Sequence, residues 1–309
     1  MQLRHLRYFV KIVEAGSFSR AATTIHVAQP ALSQQIAELE EELGLPMLQR
    51  HARGVSPTAA GEVLYREAVV ILRQIEQLPG IVRSTDGDPD GVVALGMSST
   101  LAATLGGPFI QSCRERLPKV MVKFHISDSE TLKHEISAHG LDLALLFEGE
   151  FPAGYSRSPL FRQRLYYIDS KRASRSAGTI SLERLATLPL VLPIVPNVLR
   201  SVLDRAFAGI GASPNIVSEG DQLSSIMSLV RQDIGGTVLP RALQHGEGAG
   251  TLGIPQLIEP PLFLTASALW SSDTALSRAA DAVRLAMEDY VIAHARDGGY
   301  PGLELLDPA

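Results

Sequence analysis

The chain has little of what would tie it to an oxidising compartment, a membrane or a metal. One cysteine, Cys113, stands among 309 residues. That excludes an intrachain disulfide framework and suits a reducing interior, with the thiol read as a small buried apolar group. No run approaches the roughly 18 apolar residues that a membrane-spanning helix needs. The opening residues, MQLRHLRYFVKIVEAG, lack the long apolar core and small-residue cleavage site of a secretory signal, so the cytoplasm is the expected location. Charge is sparse too. Only 20% of residues are Asp, Glu, Lys or Arg, and the net charge of −5 argues against coating nucleic acid by bulk electrostatics. A hydrophobic content of 45% still excludes general disorder, and the length suggests two or three domains with full cores.

Catalytic clusters are equally scarce. His134-Glu135-Ile136-Ser137-Ala138-His139 resembles a zinc-protease motif with one residue too many. Histidines five apart sit about 140° round a helix and cannot share one metal from one face. Gly96-Met97-Ser98-Ser99-Thr100 lacks the second glycine of a nucleophile elbow. Gly209-Ile210-Gly211-Ala212-Ser213-Pro214 lacks the third glycine of a dinucleotide turn and follows a helix pattern, not a strand. The expectation is a protein with no catalytic residue, no metal and no cofactor.

What the chain does have begins with Gln29–Gly44, QPALSQQIAELEEELG. Wound as a helix, Leu32, Ile36, Leu39 and Leu43 form one apolar seam. The other side of the first turns carries Pro30, Ser33, Gln34 and Ala37, a small and amide-bearing face that suits the major groove, where Gln pairs with adenine and Ser with several base edges. Pro30 fits the first helical position. Glu38, Glu40, Glu41 and Glu42 crowd the far half, so this helix would meet phosphates N-terminus first. Before it, Leu3, Leu6, Phe9, Val10 and Val13 make a first helical seam ended by Ala15-Gly16, and Ser17 offers a cap for a short helix around Ser19–Ile25. The tight His26-Val27-Ala28 connection completes a helix-turn-helix pattern. Residues 45–58 read as two short strands about a basic tip, a wing from which Arg50 and Arg53 reach a backbone or a narrow minor groove. Residues 1–58 hold six basic and five acidic residues, so shape and a few placed cations must do the binding.

From Leu3 to Gly61 the pattern GSFSRAATTIHVAQPALSQQIAELEEELGLPMLQR…GVSPTAAG resembles, nearly position by position, the winged helix-turn-helix of the LysR-type transcriptional regulators. The resemblance implies that Gln29, Pro30, Ser33 and Gln34 approach the major groove and that Arg53 enters the minor groove. Ala28 stands where the family often has Ser, and Met47-Leu48 replaces the common Leu-Phe. RYFVKIVEAGS and AQPALSQQ look closest to the nitrogen-assimilation-control branch, which suggests nitrogen or organic-acid metabolism. Partly palindromic promoter sites with a T-N11-A core, and tetramers built from two dimers, are further implications of the resemblance.

From Thr58, a plausible N-cap, Leu64, Ala68, Ile71, Ile75, Leu78 and Val82 repeat with spacings of four and three, a coiled-coil seam that most simply pairs with a second copy. Pro79 should kink or stop this helix. Thr85–Gly91 reads as a polar hinge. Beyond it, strands and helices alternate, so a parallel α/β sheet is the default. Strands are expected at Val92–Met97, Val120–Ile126, Leu141–Phe147, Thr187–Leu192, Asn215–Ser218, Gly236–Leu239 and Ala266–Ser271, with short extended pieces at Tyr155–Pro159 and Leu165–Ile168 and helices near Val198–Gly209, Leu223–Gln232 and Pro240–Gln244. The resemblance gives this half two Rossmann-like subdomains similar to periplasmic solute-binding proteins.

The expected organisation is therefore an all-α winged helix-turn-helix at 1–58 and a linker helix and hinge at 59–90. The α/β effector domain follows, with subdomain I at 91–161 plus 267–302, subdomain II at 162–266, and a tail at 303–309. In open α/β sheets ligands settle beyond the carboxyl ends of strands, near helix N-termini. Turns carrying Ser98, Ser99, Thr100, Ser127 and Asp128, faced by Pro193 and Thr237, suit a small organic anion, although Asp128 would oppose one. Expected partners are double-stranded DNA, a second copy of the chain, the effector and RNA polymerase, with no membrane. A transport-type solute-binding protein would share the α/β half but lack Gln29–Arg53. An α/β enzyme with an accessory DNA-binding head should show a paired nucleophile and base, and none is visible.

Overall fold

The structure, a computed structural model, describes the chain apart from residues 52–53, 84–87, 150–152, 171–177, 241–251, 297–299 and 307–309, and apart from the side chains of residues 77, 80, 81 and 83. Arg53, the hinge at 85–87 and residues 241–244 of a helix expected at Pro240–Gln244 thus lie outside the described residues. The chain forms two compact units, Met1–Gly87 with Ala138–Gly140, and Asp88–Ser137 with Leu141–Ala309.

In the first unit, α1 (Leu3–Ala15) buries Leu6, Phe9, Val10 and Ile12 and ends at Gly16, whose φ of 59° is the left-handed conformation a side chain disfavours. Ser17 then caps α2 (Phe18–Thr24), its hydroxyl accepting from the Arg20 N–H at 3.4 Å. The connection turns on His26, at φ 56°, and leads into α3 (Gln29–Leu43), which Gly44 closes. Leu32, Ile36 and Leu39 are buried with Phe9, Ile12, Ala21 and Ala22, each large side chain contributing about 1.5–3 kcal/mol by leaving water. Leu43, expected in the same seam, is 38% exposed, because this core ends one turn earlier.

Strands β1 (Leu48–His51) and β2 (Gly54–Pro57) pair antiparallel, Arg50 opposite Val55. Thr58 caps α4 (Ala59–Arg83): its hydroxyl accepts from the Gly61 N–H at 3.0 Å and donates to the Pro46 carbonyl at 2.7 Å. The helix does not stop at Pro79. Leu78 and Pro79 face solvent, where water can serve the carbonyl that the ring leaves without a donor. The seam of this helix is also not one continuous free face. Ala68 is fully buried against Leu6 and Val10, with Leu64 packed alongside, so α1 fills its first turns. Ile71 (37%) and Leu78 (52%) are exposed, with Ile75 half-buried between them.

The second unit runs β3 (Gly91–Ser98), α5 (Ser99–Leu101), a π-helical stretch at Ala102–Gly106, α6 (Gly107–Arg116), β4 (Val120–Ser127), α7 (Ser129–Ser137) and β5 (Leu143–Phe147). It continues through β6 (Tyr155–Ile168), β7 (Thr179–Ser181), α8 (Leu182–Thr187), β8 (Leu190–Pro193), α9 (Val198–Gly209), β9 (Ile216–Gly220), α10 (Leu223–Arg231) and β10 (Thr237–Pro240). Last come β11 (Gln256–Glu259), β12 (Phe263–Ser271), α11 (Arg278–Arg296) and β13 (Leu303–Leu305). Among the described residues the main sheet is ordered β4-β3-β5-β12-β6-β11-β7, with β10 and β13 also on β6, and β8 pairs β9 separately.

Only part of this is parallel. β4, β3 and β5 run together, whereas β12 enters antiparallel to both β5 and β6, which corrects the expectation of a parallel sheet. The two extended pieces expected at Tyr155–Pro159 and Leu165–Ile168 are one long strand. Its middle, Arg162-Gln163-Arg164, breaks the apolar pattern, yet each side chain has a partner: Arg162 on Glu304 (2.7 Å), Gln163 on the Pro301 carbonyl (3.2 Å) and Arg164 on Glu259 (2.9 Å), though the buried Arg164 Nε has none.

Just past β6, Asp169 is 7% exposed, and its Oδ1 has no hydrogen-bond partner. Burial pushes its carboxyl up, its own backbone N–H pulls it back, and Asp233 adds to the rise, giving about 6. The folded state therefore prefers the protonated acid. The stability this confers is complete below the unfolded value of 3.8 and is lost as pH rises through about 6. Asp169→Asn should raise urea-unfolding stability at pH 8 by about 1–3 kcal/mol, with the gain vanishing near pH 4. Equal effects at both pH values would contradict this.

Candidate nucleic-acid interface and effector cleft

The first turns of α3 present Gln29, Pro30 and Gln34 exposed and Ser33 half-buried. Two local bonds hold their orientation: Gln29 Nε2 donates to Ser33 Oγ (3.3 Å) and Gln34 Nε2 to Glu38 Oε1 (3.1 Å). The acid in the far half is partly structural. Glu40 accepts from the N–H groups of Met47 (2.7 Å) and Leu48 (3.0 Å), tying α3 to the wing, and Glu38 also accepts from the Gln35 amide (2.8 Å).

The wing is fixed to the α1–α2 turn. Val55 N–H donates to the Gly16 carbonyl at 3.0 Å, an approach so close that a Cβ on Gly54 would lie 2.4 Å from that oxygen. Arg50 is exposed, with its guanidinium 4.9 Å over the Phe18 ring, an arrangement that holds the charge in place while leaving it wet. Arg20, which the sequence did not single out, is exposed on α2, with Nη2 3.5 Å from where a side chain at Gly16 would start, beside β2.

In the second unit, the carboxyl ends of five strands, β3, β4, β5, β8 and β9, open on one cavity of about 800 Å³. Ser98, Ser99, Thr100, Asp128 and Pro193 line it. Ser127 and Thr237 are not among its lining residues: Ser127 turns its hydroxyl to Asp128 (3.4 Å), and Thr237 is fully buried in β10 opposite Ile168. Leu239, two residues further along β10, reaches the cavity instead. Glu148, Asn197, Arg205 and Asp221 line it as well and were missed. Glu148 and Asp221 directly follow β5 and β9, so extending the strand-end rule to every strand would have found them.

Ser98 is 6% exposed, and its hydroxyl has no partner. It precedes an uninterrupted helical run through α5, the π stretch and α6, and no side chain caps that run at Ser98. Asp128 caps α7. Burial opposes its ionisation, but the Thr131 hydroxyl (2.6 Å), the Thr131 N–H (2.9 Å) and further backbone N–H groups outweigh it, so the carboxyl stays below its ordinary value. Asn197 caps α9, accepting from the Arg200 N–H at 3.2 Å. Cys113 is buried, which pushes its thiol up to about 11, too high for a reactive thiolate. Among the described residues no group of three His, Cys, Asp or Glu could hold a metal ion, and no helix is long and apolar enough to cross a membrane.

Comparison with known proteins decides the family. Residues 3–62 match the model of the bacterial regulatory helix-turn-helix protein, lysR family, and residues 86–291 match the LysR substrate binding domain. The chain belongs to the LysR family of transcriptional regulators. It is 35% identical to the nitrogen assimilation regulatory protein nac of Klebsiella aerogenes, over 92% of this chain and 93% of that one. To the nac protein of Escherichia coli (strain K12) it is 32% identical over the same shares. CbnR, solved with its target DNA, shares the fold at a TM-score of 0.74 and 18% identity, covering 95% of this chain and 99% of that one. Full-length OxyR from Pseudomonas aeruginosa does so at 0.70 and 21%, covering 100% and 99%. This LysR-type chain is thus a DNA-binding transcription regulator and not an enzyme.

Proposed function

We propose that this LysR-type regulator reads promoter DNA with the exposed face of α3 at Gln29, Pro30, Ser33 and Gln34, while Arg50, Arg53 and Arg20 engage the backbone or minor groove. The observation that carries the reading is the amide-and-hydroxyl turn at the start of α3, exposed above a fully buried seam and set beside an anchored hairpin. Bases are reached by uncharged donors and acceptors, and the few cations hold register on phosphates. The chain acts in the cytoplasm. Its likeness to two nitrogen assimilation regulatory proteins supports a role in nitrogen assimilation here.

A small effector enters the cavity at the strand ends and contacts Ser98, Ser99, Thr100, Asp128 and Pro193. Its binding shifts subunit packing, and with it the spacing of paired reading heads on bent DNA. Enrichment from a random duplex pool, followed by mobility-shift titration at two salt concentrations, tests the DNA reading. Sequence-selective binding that weakens with salt is expected; equal affinity for every duplex would end it.

The outer half of the α4 seam, exposed Ile71 and Leu78 with half-buried Ile75, joins two copies, and pairs of such dimers form a tetramer. Leu64 and Ala68, already packed on α1, contribute through that packing. Ile71→Asp sets a charge in the proposed seam and should halve the sedimenting mass without lowering the melting temperature of the first unit. An unchanged mass would remove this face from the interface.

A further inference from the structure

The charge of the cleft narrows what it can hold, an inference that rests on the effector reading above. Four carboxylates line the cavity, Asp128, Glu130, Glu148 and Asp221, and among the described lining residues one cation, Arg205, stands against them. Two of the acids have counterions: Lys133 lies 2.7 Å from Glu130, and Arg157 lies 2.9 Å from Glu148, whose same oxygen also accepts from Ser267 at 2.5 Å. Asp128 remains ionised at the start of α7, and Asp221 has no ion-pair partner among the described residues. A ligand carrying only carboxylates would be pressed against these acids in a partly desolvated cleft, where like charges repel most.

An anionic group is nevertheless provided for at one place. The Ser98 hydroxyl is buried and unpartnered at the cavity wall, where the helical run through α6 begins with its first N–H groups free of a side-chain cap. Hydroxyls from Ser99, Thr100 and Ser129 add donors at the same cavity. We propose that the cleft binds an amino-acid-like zwitterion, its carboxylate at Ser98 and the N-terminus of that run, its ammonium toward Asp221 and the second oxygen of Glu148. Apolar walls from Phe147, Leu223, Ile226 and Leu239 enclose its side chain.

The test uses the full-length protein. Each of the common L-amino acids is titrated in calorimetry and thermal shift beside two matched probes, the same acid without its amine and the same amine without its carboxylate. At least one amino acid should bind at least tenfold tighter than both counterparts. Asp221→Asn, a change at the surface, should weaken it fivefold or more, and Glu148→Gln and Ser98→Ala should do likewise. An amine-free acid that binds as tightly as its amino acid and shifts promoter affinity overturns the inference while leaving the effector cleft intact. Binding by no amino acid also overturns it. An amino acid that binds as expected without changing DNA affinity upholds the zwitterion site and counts against the effector reading instead.

Discussion

Gln29→Ala combined with Gln34→Ala should lower affinity for the enriched DNA site by about 100-fold or more. A good bidentate contact between an amide and an adenine edge discriminates by about 1–3 kcal/mol, and two of them lost together amount to about 2–6 kcal/mol, a span of roughly 30-fold to 10⁴-fold with 100-fold well inside it. Some of that is offset, because each amide must first leave a neighbour, Ser33 for Gln29 and Glu38 for Gln34. Such exposed local bonds contribute only about 0.5–1.5 kcal/mol each, so base contact wins. The fold should not notice. Both side chains are exposed, and the seam of Leu32, Ile36 and Leu39 beneath them is untouched, so the melting temperature should hold while affinity collapses. Mobility shift and thermal melting on the same preparation separate the outcomes. Unchanged affinity, or a loss matched by unfolding, would show that α3 does not read bases. Binding to unrelated duplex should fall much less, since phosphate contacts from arginines supply it.

Much of the first unit was legible because its boundaries are local chemistry. Gly16 and Gly44 close helices in the left-handed conformation, and Ser17 and Thr58 bind the N–H groups that helices leave bare. What periodicity does not say is which surface covers an apolar face. The seam from Leu64 to Val82 looks uniform in the sequence, yet Leu6 and Val10 cover its beginning. In the second unit the error had a similar origin. Alternating strands and helices suggest parallel neighbours, but β12 arrives from over a hundred residues later and inserts antiparallel between β5 and β6. No local pattern records that pairing. The apolar run at 187–192 suggests one strand, whereas Ser181 caps a helix over Leu182–Thr187, with Glu183 in its first turn, before β8 begins at Leu190. That cap is a local signal that outranks the apolar run. The strand-end rule points to the strand ends where the structure has a cavity. Hydroxyl-bearing turns stand out in the sequence, whereas single acids such as Glu148 and Asp221 after a strand carry no motif.

Gly61→Ala should destabilise the reading head by about 2–4 kcal/mol, although alanine is the better helix former by about 1 kcal/mol. The contest is decided by what the new methyl meets. A Cβ at position 61 would lie 2.0 Å from the Met47 carbonyl oxygen and 3.1 Å from Pro57 Cβ. That carbonyl cannot swing aside cheaply. It accepts from the Thr58 N–H at 3.0 Å, and the Met47 N–H is held by Glu40 at 2.7 Å. Relief would therefore loosen the α4 cap, the start of the wing and its tie to α3 together. For a domain of this size each kcal/mol moves the midpoint by about 4–8 °C, so a drop of 10 °C or more is expected. Hydrogen exchange on α1, α2 and α3 should report it, and DNA binding at 37 °C should fall with it. Gly209→Ala supplies the opposite sign from the same substitution. Gly209 is helical at the end of α9, with nothing within 4 Å of an added Cβ, so the variant should be neutral or gain about 0.4–1 kcal/mol. If both variants melted like the parent, the close approach of α4 to Met47 would not be what holds the wing in place.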